Sequence, residues 1–245
     1  MASCKATDAI YHADPPPAAK KLRELLYCAH YVHSHIAHFY ALAAPDFVMG
    51  PAASPAERNI LGVIAKVGLD IGKDVIKHRA YAQEITASVG GRATHPVCGL
   101  PGGLSKAITE KERAEFEAKA KSMVEFAKFS LNLFHTVVLA NKNYVDLIIG
   151  DTYTMKSYYM GLVDKNNKVN FYEGNIRLID PDGREVAKFK PAEYLDTDRL
   201  SILCSEAQGA GATVTVYFLR SDVDHVLGDA ATWLTLKRVP MDLSL

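Results

Sequence analysis

The chain changes character near Gly150, where helical spacing of apolar residues is replaced by short extended segments. Before this point, long stretches place apolar residues every three or four positions, as the buried face of a helix requires. After it, short runs rich in β-branched and aromatic residues alternate with turn sequences such as DPDG at 180–183. Helices followed by strands predict an α+β chain, in which a long-helix bundle precedes a small antiparallel β region.

Apolar spacing predicts three long helices in the first part of the chain. They cover residues 18–42, residues 56–86 and about forty residues from Thr109 onward. We expect Pro45 to end the first helix, because proline cannot continue the hydrogen-bond pattern. The third helix begins with a capping box formed by Thr109 and Glu112. Since it exceeds the usual length of a globular helix, we predict a break near residues 141–143.

The second part of the chain predicts a small antiparallel meander. Its expected strands are Tyr158–Val163, Val169–Tyr172, Asn175–Ile179 and Glu185–Lys190. The domain organisation that follows is a helical scaffold at 1–150, a small β region at 151–196 and a tail at 197–245. In the tail, only the runs 214–219 and 230–236 indicate strands.

Charge and hydropathy exclude several classes of partner. The 28 basic residues balance the 28 acidic ones, so the chain offers no positive surface for nucleic acid or for an anionic membrane. The longest apolar runs fall far short of the roughly 20 residues that span a bilayer. Asp8 and His12 lie where a signal peptide would need an apolar run. We therefore expect a cytoplasmic protein with reduced thiols, no membrane insertion and no nucleic-acid partner.

The four cysteines are dispersed along the chain, at Cys4, Cys28, Cys98 and Cys204. No CxxC pair exists, so a four-cysteine metal site would have to be assembled from distant segments. A cluster of Cys28 and Cys98 with a histidine remains an alternative that the spacing does not require.

Histidines are concentrated in the first predicted helix, at His30, His33, His35 and His38. Helical geometry spreads them over roughly 200°, so all four cannot bind one ion. His35 and His38 are three residues apart and share a face, which would suit a metal pair. The alternatives are histidines with backbone or carboxylate partners and a proton-relay role near neutral pH.

The segment GGRATHPVCGLPGG, residues 90–103, is predicted to be an irregular loop because it holds five glycines and two prolines. It matches neither GxGxxG nor a P-loop, so a nucleotide cradle is unsupported. One interpretation is a tight connection between helices. The other is a backbone that lies close to a partner group, with Arg92 as a fixed cation and His95 as a titratable side chain.

Five segments together resemble one protein family. They are PPPAAKKLREL at 15–25, HSHIAHFYALAAPDF at 33–47, GGRATHPVCGLPGGLSK at 90–106, YYMGLVD at 158–164 and NFYEGNIRLIDPDGREV at 170–186. This pattern resembles the large, nickel-binding subunit of NiFe hydrogenases, in particular the cytoplasmic methyl-viologen-reducing and NAD-reducing type. The family's helix pattern His-x-His-x-x-His-Phe-Tyr is matched at residues 33–40. The resemblance extends from Met1 to about Asp196.

The resemblance implies a nickel–iron centre in the complete family protein, held by four cysteines. Two come from an Arg-x-Cys-Gly-x-Cys motif and two from Asp-Pro-Cys-x-x-Cys, and this sequence has neither. Its start resembles the family sequence just after the first motif, and the resemblance is lost from about Arg199. We therefore expect a chain truncated at both ends with a divergent tail, and no catalytic, cofactor-binding or metal-ligating residues of its own.

The function implied for the complete family protein is reversible oxidation of dihydrogen, with electrons passed to an iron–sulfur small subunit. We expect this chain to be a fragment of such a large subunit, inactive alone and prone to self-association when isolated. In it, His33, His35, His38, Arg92 and His95 are candidate support or proton-relay residues. One alternative is a non-catalytic structural subunit, as in respiratory NADH:quinone oxidoreductase relatives. Another is a histidine-rich nickel-handling module.

Overall fold

The computed structural model describes residues 1–151 and 157–193, together with the backbone of Tyr217–Leu219 and Trp233–Thr235. The chain forms two compact units, Met1–Thr152 and Tyr153–Leu245. The first unit is helical and the second contains small antiparallel sheets. The prediction of an α+β chain, with a helix bundle followed by a small β region, is confirmed.

Helices account for most of the described part of the first unit. The α-helices are α1 Ala2–Ile10, α2 Pro17–Ala37, α3 Ile60–Val67, α4 Leu69–Gly90, α5 Glu110–Phe134 and α6 Lys142–Ile149. Wider π-type turns at His38–Ala43 and Pro45–Met49 extend α2, and a similar segment at His135–Leu139 extends α5. Two short strands, β1 Gly99–Leu100 and β2 Gly103–Leu104, pair antiparallel inside the glycine-rich loop.

The first predicted helix continues past its expected end. Pro17 occupies the first turn of α2, where a missing N–H leaves no helical hydrogen bond unmade. The expectation that Pro45 ends the helix is wrong, because Pro45 likewise occupies the first turn of a π-type segment. The helical path ends at Gly50, whose φ of 100° is accessible mainly to glycine.

The second predicted helix is two helices, so a single helix over residues 56–86 is wrong. α3 begins after Asn59 rather than at Ala56, because the Asn59 Oδ1 accepts hydrogen bonds from the N–H groups of Leu61 and Gly62. α3 and α4 are separated at Gly68, which has φ 102° and ψ 150°. This backbone conformation breaks the helix and requires glycine.

The third predicted helix follows the expectation closely. Thr109 Oγ1 accepts from the Glu112 N–H at 3.2 Å, and Glu112 accepts from the Thr109 N–H at 2.8 Å, which completes the capping box. The predicted break is confirmed at Asn141, whose side chain accepts from the Asn143 N–H at 3.0 Å and caps α6.

The core of the first unit lies between α2, α4 and α5. Its buried members are Leu26, Ala29, Ala82, Ile85, Val89, Cys98, Phe116 and Met123. Ile85 and Val89 are each only 1% exposed and hold α4 at the centre. Full burial of such a side chain contributes roughly 1.5–3 kcal/mol. This packing positions the histidine-bearing helix beside the glycine-rich loop.

The second unit contains a three-stranded antiparallel sheet in the order β3 Tyr159–Val163, β4 Asn175–Ile179, β5 Glu185–Phe189. The predicted strand Val169–Tyr172 is wrong, since only Val169 makes an isolated bridge, to Val163. The side chain of Asn170 explains the difference. Its Oδ1 accepts from the N–H groups of Tyr172 and Glu173, a local turn that competes with strand pairing.

In the tail, β6 Tyr217–Leu219 and β7 Trp233–Thr235 pair antiparallel and fall inside the two predicted strand-like runs. The remaining residues of those runs lie outside the described residues. In the described part of the chain, no single helix has both the length and the apolar composition to cross a membrane. The pair Glu110–Leu139 and Lys142–Ile149, bent by 90°, meets both criteria when the two are taken together.

Candidate functional site

The histidines of α2 have different environments. His33 is half-buried, and its Nε2 accepts a hydrogen bond from Arg79 Nη2 at 2.9 Å. Because the guanidinium can only donate, His33 is the acceptor and its proton lies on Nδ1. Burial lowers the pKa of His33, and the positive charge of Arg79 lowers it further. His33 is therefore neutral at pH 7 and links α2 to α4.

The proposed metal pair, His35 and His38, is exposed at the end of α2. His35 Nδ1 lies 2.9 Å from the carbonyl oxygen of Tyr31, to which it donates, and the two rings are 5.4 Å apart. His38 follows α2 directly, and its N–H bonds back to the carbonyls of His35 and Ser34. Within the described residues, no three His, Cys, Asp or Glu side chains are grouped to hold a metal ion.

Arg92 and His95 are both exposed in the glycine-rich loop. His95 has a φ of 53°, in the left-handed region that non-glycine residues rarely adopt. Nearby, the Val97 N–H donates to the Gly90 carbonyl at 2.9 Å, and a methyl group on Gly90 would lie 2.7 Å from Pro96 Cβ. This end of the loop is thus a close-packed connection. In the described structure, no hydrogen bond or ion pair joins Arg92 or His95 to the histidines of α2.

The other end of the loop is held by a buried ion pair that we call the loop clamp, formed by Asp8, Arg23 and the backbone of residues 100–103. The guanidinium of Arg23 donates to both carboxylate oxygens of Asp8. It also donates to the carbonyls of Leu100 at 2.9 Å and Gly103 at 2.8 Å. The Gly102 N–H donates to Asp8 Oδ1 at 2.7 Å. One charge pair thereby joins α1, α2 and the loop.

The loop clamp is almost fully withdrawn from water, with side-chain exposures of 2% for Arg23 and 10% for Asp8. The hydrogen bond from Arg23 holds the pKa of Asp8 below its usual value, and the Gly102 N–H acts in the same direction against the effect of burial. Buried charges are tolerated where hydrogen bonds replace water, as they do here. The clamp therefore fixes the shape of the loop.

The loop clamp is not among the residues predicted from the sequence, although the position of Arg23 gives one local signal for it. Arg23 follows Leu22 and lies one helical turn from Leu26 in a predicted helix, and a charged side chain so close to apolar residues that are expected to be buried requires a partner. Nothing in the sequence indicated Asp8 as that partner. A second missed residue is His78, 5% exposed, which stacks on Phe126 with ring centroids 4.2 Å apart.

His78 is a core histidine whose ring nitrogens both have partners. Its Nδ1 lies 2.7 Å from the Asp74 carbonyl and its Nε2 lies 3.1 Å from Ser122 Oγ. The Asp74 contact lies within α4, whereas the Ser122 contact and the stacking on Phe126 join α4 to α5. The ring serves packing between these helices, because its polar atoms are satisfied by them.

The cysteines of the described chain are free thiols in three environments. Cys28 is exposed on α2, Cys4 is half-buried in α1, and Cys98 is buried in the core. Burial raises the pKa of Cys98. Cys28, Cys98 and a histidine are not grouped as metal ligands in the described part of the chain. The residues that the structure describes therefore do not fit a thiolate-held nickel–iron centre.

Comparison with known proteins identifies the family. A family model for nickel-dependent hydrogenase matches residues 1–66. An iron-sulfur subunit of the F420-non-reducing hydrogenase of Archaeoglobus profundus is 50% identical over 195 residues, covering 80% of this chain and 40% of the relative. The chain is a partial homologue of the large subunit of nickel-dependent hydrogenases. A vhu subunit of the F420-non-reducing hydrogenase of Methanocaldococcus jannaschii is 47% identical over 198 residues, covering 80% of this chain and 46% of that relative.

Solved hydrogenase structures share the fold. An NAD+-reducing NiFe hydrogenase in the H2-reduced state aligns with a TM-score of 0.70 and 25% identity over 78% of this chain and 42% of the other. The NiFeSe hydrogenase of Desulfovibrio vulgaris Hildenborough aligns with a TM-score of 0.57 and 23% identity over 74% and 38%. The chain spans less than half the length of the curated relatives named above.

Proposed function

We propose that the chain supplies the helical scaffold and adjoining β region of a hydrogenase large subunit, whose complete form oxidises dihydrogen reversibly at a nickel–iron centre. The supporting observation is that the similarity to hydrogenase subunits covers 80% of this chain while covering 40% of the relative. The likeness therefore includes both the helical part and the start of the β part. The activity, the substrate and the electron transfer of the complete large subunit are part of this proposal.

The chain on its own is proposed to be inactive. A thiolate-held metal pair needs several sulfur ligands at one point, and the described residues bring no such set together. We therefore derive no catalytic step from them. The nickel–iron centre is assigned to the complete protein, and no cofactor is assigned to this chain.

The five residues identified from the sequence receive supporting roles in this proposal. His33 holds α2 against Arg79 and remains neutral at pH 7. His35 donates from Nδ1 to the Tyr31 carbonyl, so its Nε2 is the ring nitrogen through which it would act in a proton relay. His38 is the exposed neighbour of His35, and Arg92 and His95 offer a cation and an exposed imidazole on the loop.

The proposed partner is an iron–sulfur subunit of a hydrogenase complex, and the proposed location is the cytoplasm. Large apolar side chains that are exposed in this chain support the proposal that a protein partner covers part of its surface. Leu61 is 77% exposed, Ile149 is 73% and Ile76 is 70%. Exposed apolar groups of this kind mark surfaces that protein contacts cover when they form contiguous patches.

The experiment that tests the proposal measures metal content and hydrogen oxidation together. The purified chain is supplied with nickel, its bound nickel is determined by elemental analysis, and hydrogen-dependent reduction of methyl viologen is followed. We expect neither stoichiometric nickel nor turnover from the chain alone. Stoichiometric nickel with turnover would contradict the proposal. The partner is tested by co-expression with a hydrogenase iron–sulfur subunit, where we expect co-purification.

A second candidate function is that of a non-catalytic structural subunit that keeps the scaffold without the metal. The absence of a metal-ligand grouping from the described residues favours it. The reading frame of the gene distinguishes the two candidates. An Arg-x-Cys-Gly-x-Cys motif encoded in frame ahead of Met1 favours part of a catalytic subunit, and an independent start signal favours a dedicated structural protein.

The nickel-handling alternative is tested by variants of the exposed histidine pair. His35→Ala and His38→Ala are titrated with nickel beside the unmodified chain, with His12→Ala, an exposed histidine outside α2, as the control. Our proposal predicts that all four proteins bind nickel equally weakly. A selective loss of binding in the first two variants would favour the nickel-handling module.

A further inference from the structure

Two cysteines that are far apart in the sequence are brought together where α1 meets the glycine-rich loop. Cys4 lies in α1, and Cys98 directly precedes β1. The Sγ atom of Cys4 rests on the backbone of Gly99, since a methyl group added to Gly99 would lie 2.5 Å from that sulfur. Burial raises the pKa of Cys98, and the nearby Cys4 thiol raises it further. The two thiols are therefore neighbours in the folded chain.

The surrounding structure keeps this arrangement in place. Asp8, one helical turn after Cys4, accepts a hydrogen bond at 2.7 Å from the N–H of Gly102, which lies four residues after Cys98. Arg23 holds the same carboxylate and the carbonyl of Gly103. The loop clamp thus fastens the two cysteine-bearing segments to each other.

The two thiols differ in access, which gives them different chemical roles. Cys4 is half-buried and Cys98 is only 3% exposed, within the apolar core cluster. A small reagent therefore meets Cys4 first. Because reactivity of a thiol depends on access and on thiolate character, Cys98 by itself is a poor target for a reagent in solution.

We propose that Cys4 and Cys98 are a redox-responsive pair that closes to an intramolecular disulfide when the chain meets a low-molecular-weight disulfide such as oxidised glutathione. The Cys4 thiolate attacks one sulfur of the reagent, giving a mixed disulfide and releasing one glutathione. The Cys98 thiolate then attacks Cys4 Sγ and releases the second glutathione. Two protein thiols are oxidised, their two protons pass to the two glutathione thiolates by way of solvent, and one reagent disulfide is reduced to two thiols.

The consequence of this reaction is a covalent link between α1 and the glycine-rich loop. The link lies beside the loop clamp, so it restrains the loop even when the ion pair opens. Oxidation would then hold the loop in its clamped shape, and reduction would leave it dependent on Asp8 and Arg23 alone.

The experiment uses the full chain carrying Cys28→Ser and Cys204→Ser, so that only the two thiols in question remain. Oxidised glutathione is added under native conditions, free thiols are titrated, and unreduced peptides are mapped by mass spectrometry. We expect the titre to fall from two thiols to none, with a Cys4–Cys98 cross-linked peptide and no glutathione retained. Glutathione retained on both cysteines, or no reaction at either, overturns the proposal.

Two single variants in the same background make the assigned order testable. Cys98→Ala is expected to stop at a stable glutathione adduct on Cys4, and Cys4→Ala is expected to leave Cys98 unmodified on the same time scale. If Cys98 reacts with oxidised glutathione as fast in Cys4→Ala as in the protein that keeps both thiols, Cys4 does not react first and the proposed order is wrong. Far-ultraviolet circular dichroism identifies any variant that fails to fold, and the background protein, with both thiols intact, still decides whether the cross-link forms.

Discussion

Arg23 is a buried side chain of α2 whose hydrogen bonds reach parts of the chain that are distant in the sequence. It is a charged residue on the buried stripe of α2, and its guanidinium contacts one side chain and two backbone carbonyls from other parts of the chain. Removing one partner of a buried pair leaves the other charge without compensation. The energetic role of Arg23 therefore exceeds that of the exposed ion pairs along α5.

We predict that Arg23→Met lowers the free energy of unfolding by about 3–5 kcal/mol, because Asp8 and two loop carbonyls lose their donor. Urea unfolding of the variant and the unmodified chain measures this difference. Arg113→Met is the control, since Arg113 pairs with Glu110 on the exposed face of α5 and should change the midpoint little. Equal effects of the two substitutions would contradict a special role for the clamp.

The charge of Asp8 predicts a specific loss of stability in acid. Its pKa in the folded chain is lowered below its ordinary value of 3.8, with the Arg23 hydrogen bond as the main cause. The stabilisation is complete above the ordinary pKa and is lost as the pH falls through the lowered one. Asp8→Asn should therefore have a lower free energy of unfolding than the unmodified chain at about pH 6. This difference in free energy should be smaller at about pH 3.

Urea titrations of both proteins at the two pH values measure this gap. Glu110→Gln serves as the comparison, because the pKa of Glu110 is also lowered by its hydrogen bond with Arg113 while its side chain is exposed. A gap between Asp8→Asn and the unmodified chain that stays constant with pH would show that Asp8 acts through its shape rather than through its charge.

At the scale of elements, the helix boundaries depend on capping and glycine more than on apolar spacing. The capping box at Thr109 was predictable because its side chains bond backbone groups within a few residues, and the break near Asn141 was predictable because the helix would otherwise be too long. The division between α3 and α4 was not predictable from the sequence, because the apolar spacing continues through Gly68 without interruption. A glycine inside a periodic run does not reveal whether it is helical.

We predict that Gly68→Ala destabilises the first unit by about 1–3 kcal/mol, because alanine is strained at a φ of 102°. No atom lies within 4 Å of the added methyl group, so the cost is that of the backbone alone. Gly103→Ala is the control, as it adds a methyl group to equally open space without a positive φ. Urea unfolding followed by circular dichroism compares the two variants, and similar losses would contradict backbone strain at Gly68.

At the scale of the whole molecule, the described chain exposes many large apolar side chains. They include Leu42, Leu61, Leu69, Ile76, Leu131 and Ile149, each more than 60% exposed. Isolated exposed apolar residues are ordinary, but contiguous ones favour association with another surface. This feature agrees with the proposal that the chain works inside a larger hydrogenase assembly.

We predict that the isolated chain self-associates as its concentration rises, because apolar surface is then removed from water. Light scattering coupled to size-exclusion chromatography measures the mass across a dilution series. Leu61→Lys together with Ile149→Lys should shift the protein toward monomer, and Lys121→Gln, at an exposed polar site on α5, should not. A monodisperse monomer at all concentrations would contradict the prediction.

Part of the candidate site could be predicted from the sequence and part could not. The histidines of α2 and the irregular loop were identified because helical periodicity and glycine content are local properties. The contact between His33 and Arg79, and the loop clamp of Asp8 and Arg23, join residues from different elements. A single sequence contains no signal that selects such a partner among the many charged residues available.

The sequence by itself determined the order of helices and strands, the capping box at Thr109 and the resemblance to nickel-dependent hydrogenases, because each depends on residues close together along the chain. The tertiary structure alone decided where α2 ends, which histidine is bonded and neutral, and that Cys4 lies beside Cys98. The physical reason is that burial and hydrogen bonding between distant segments are collective. They depend on which surfaces meet when the helices pack.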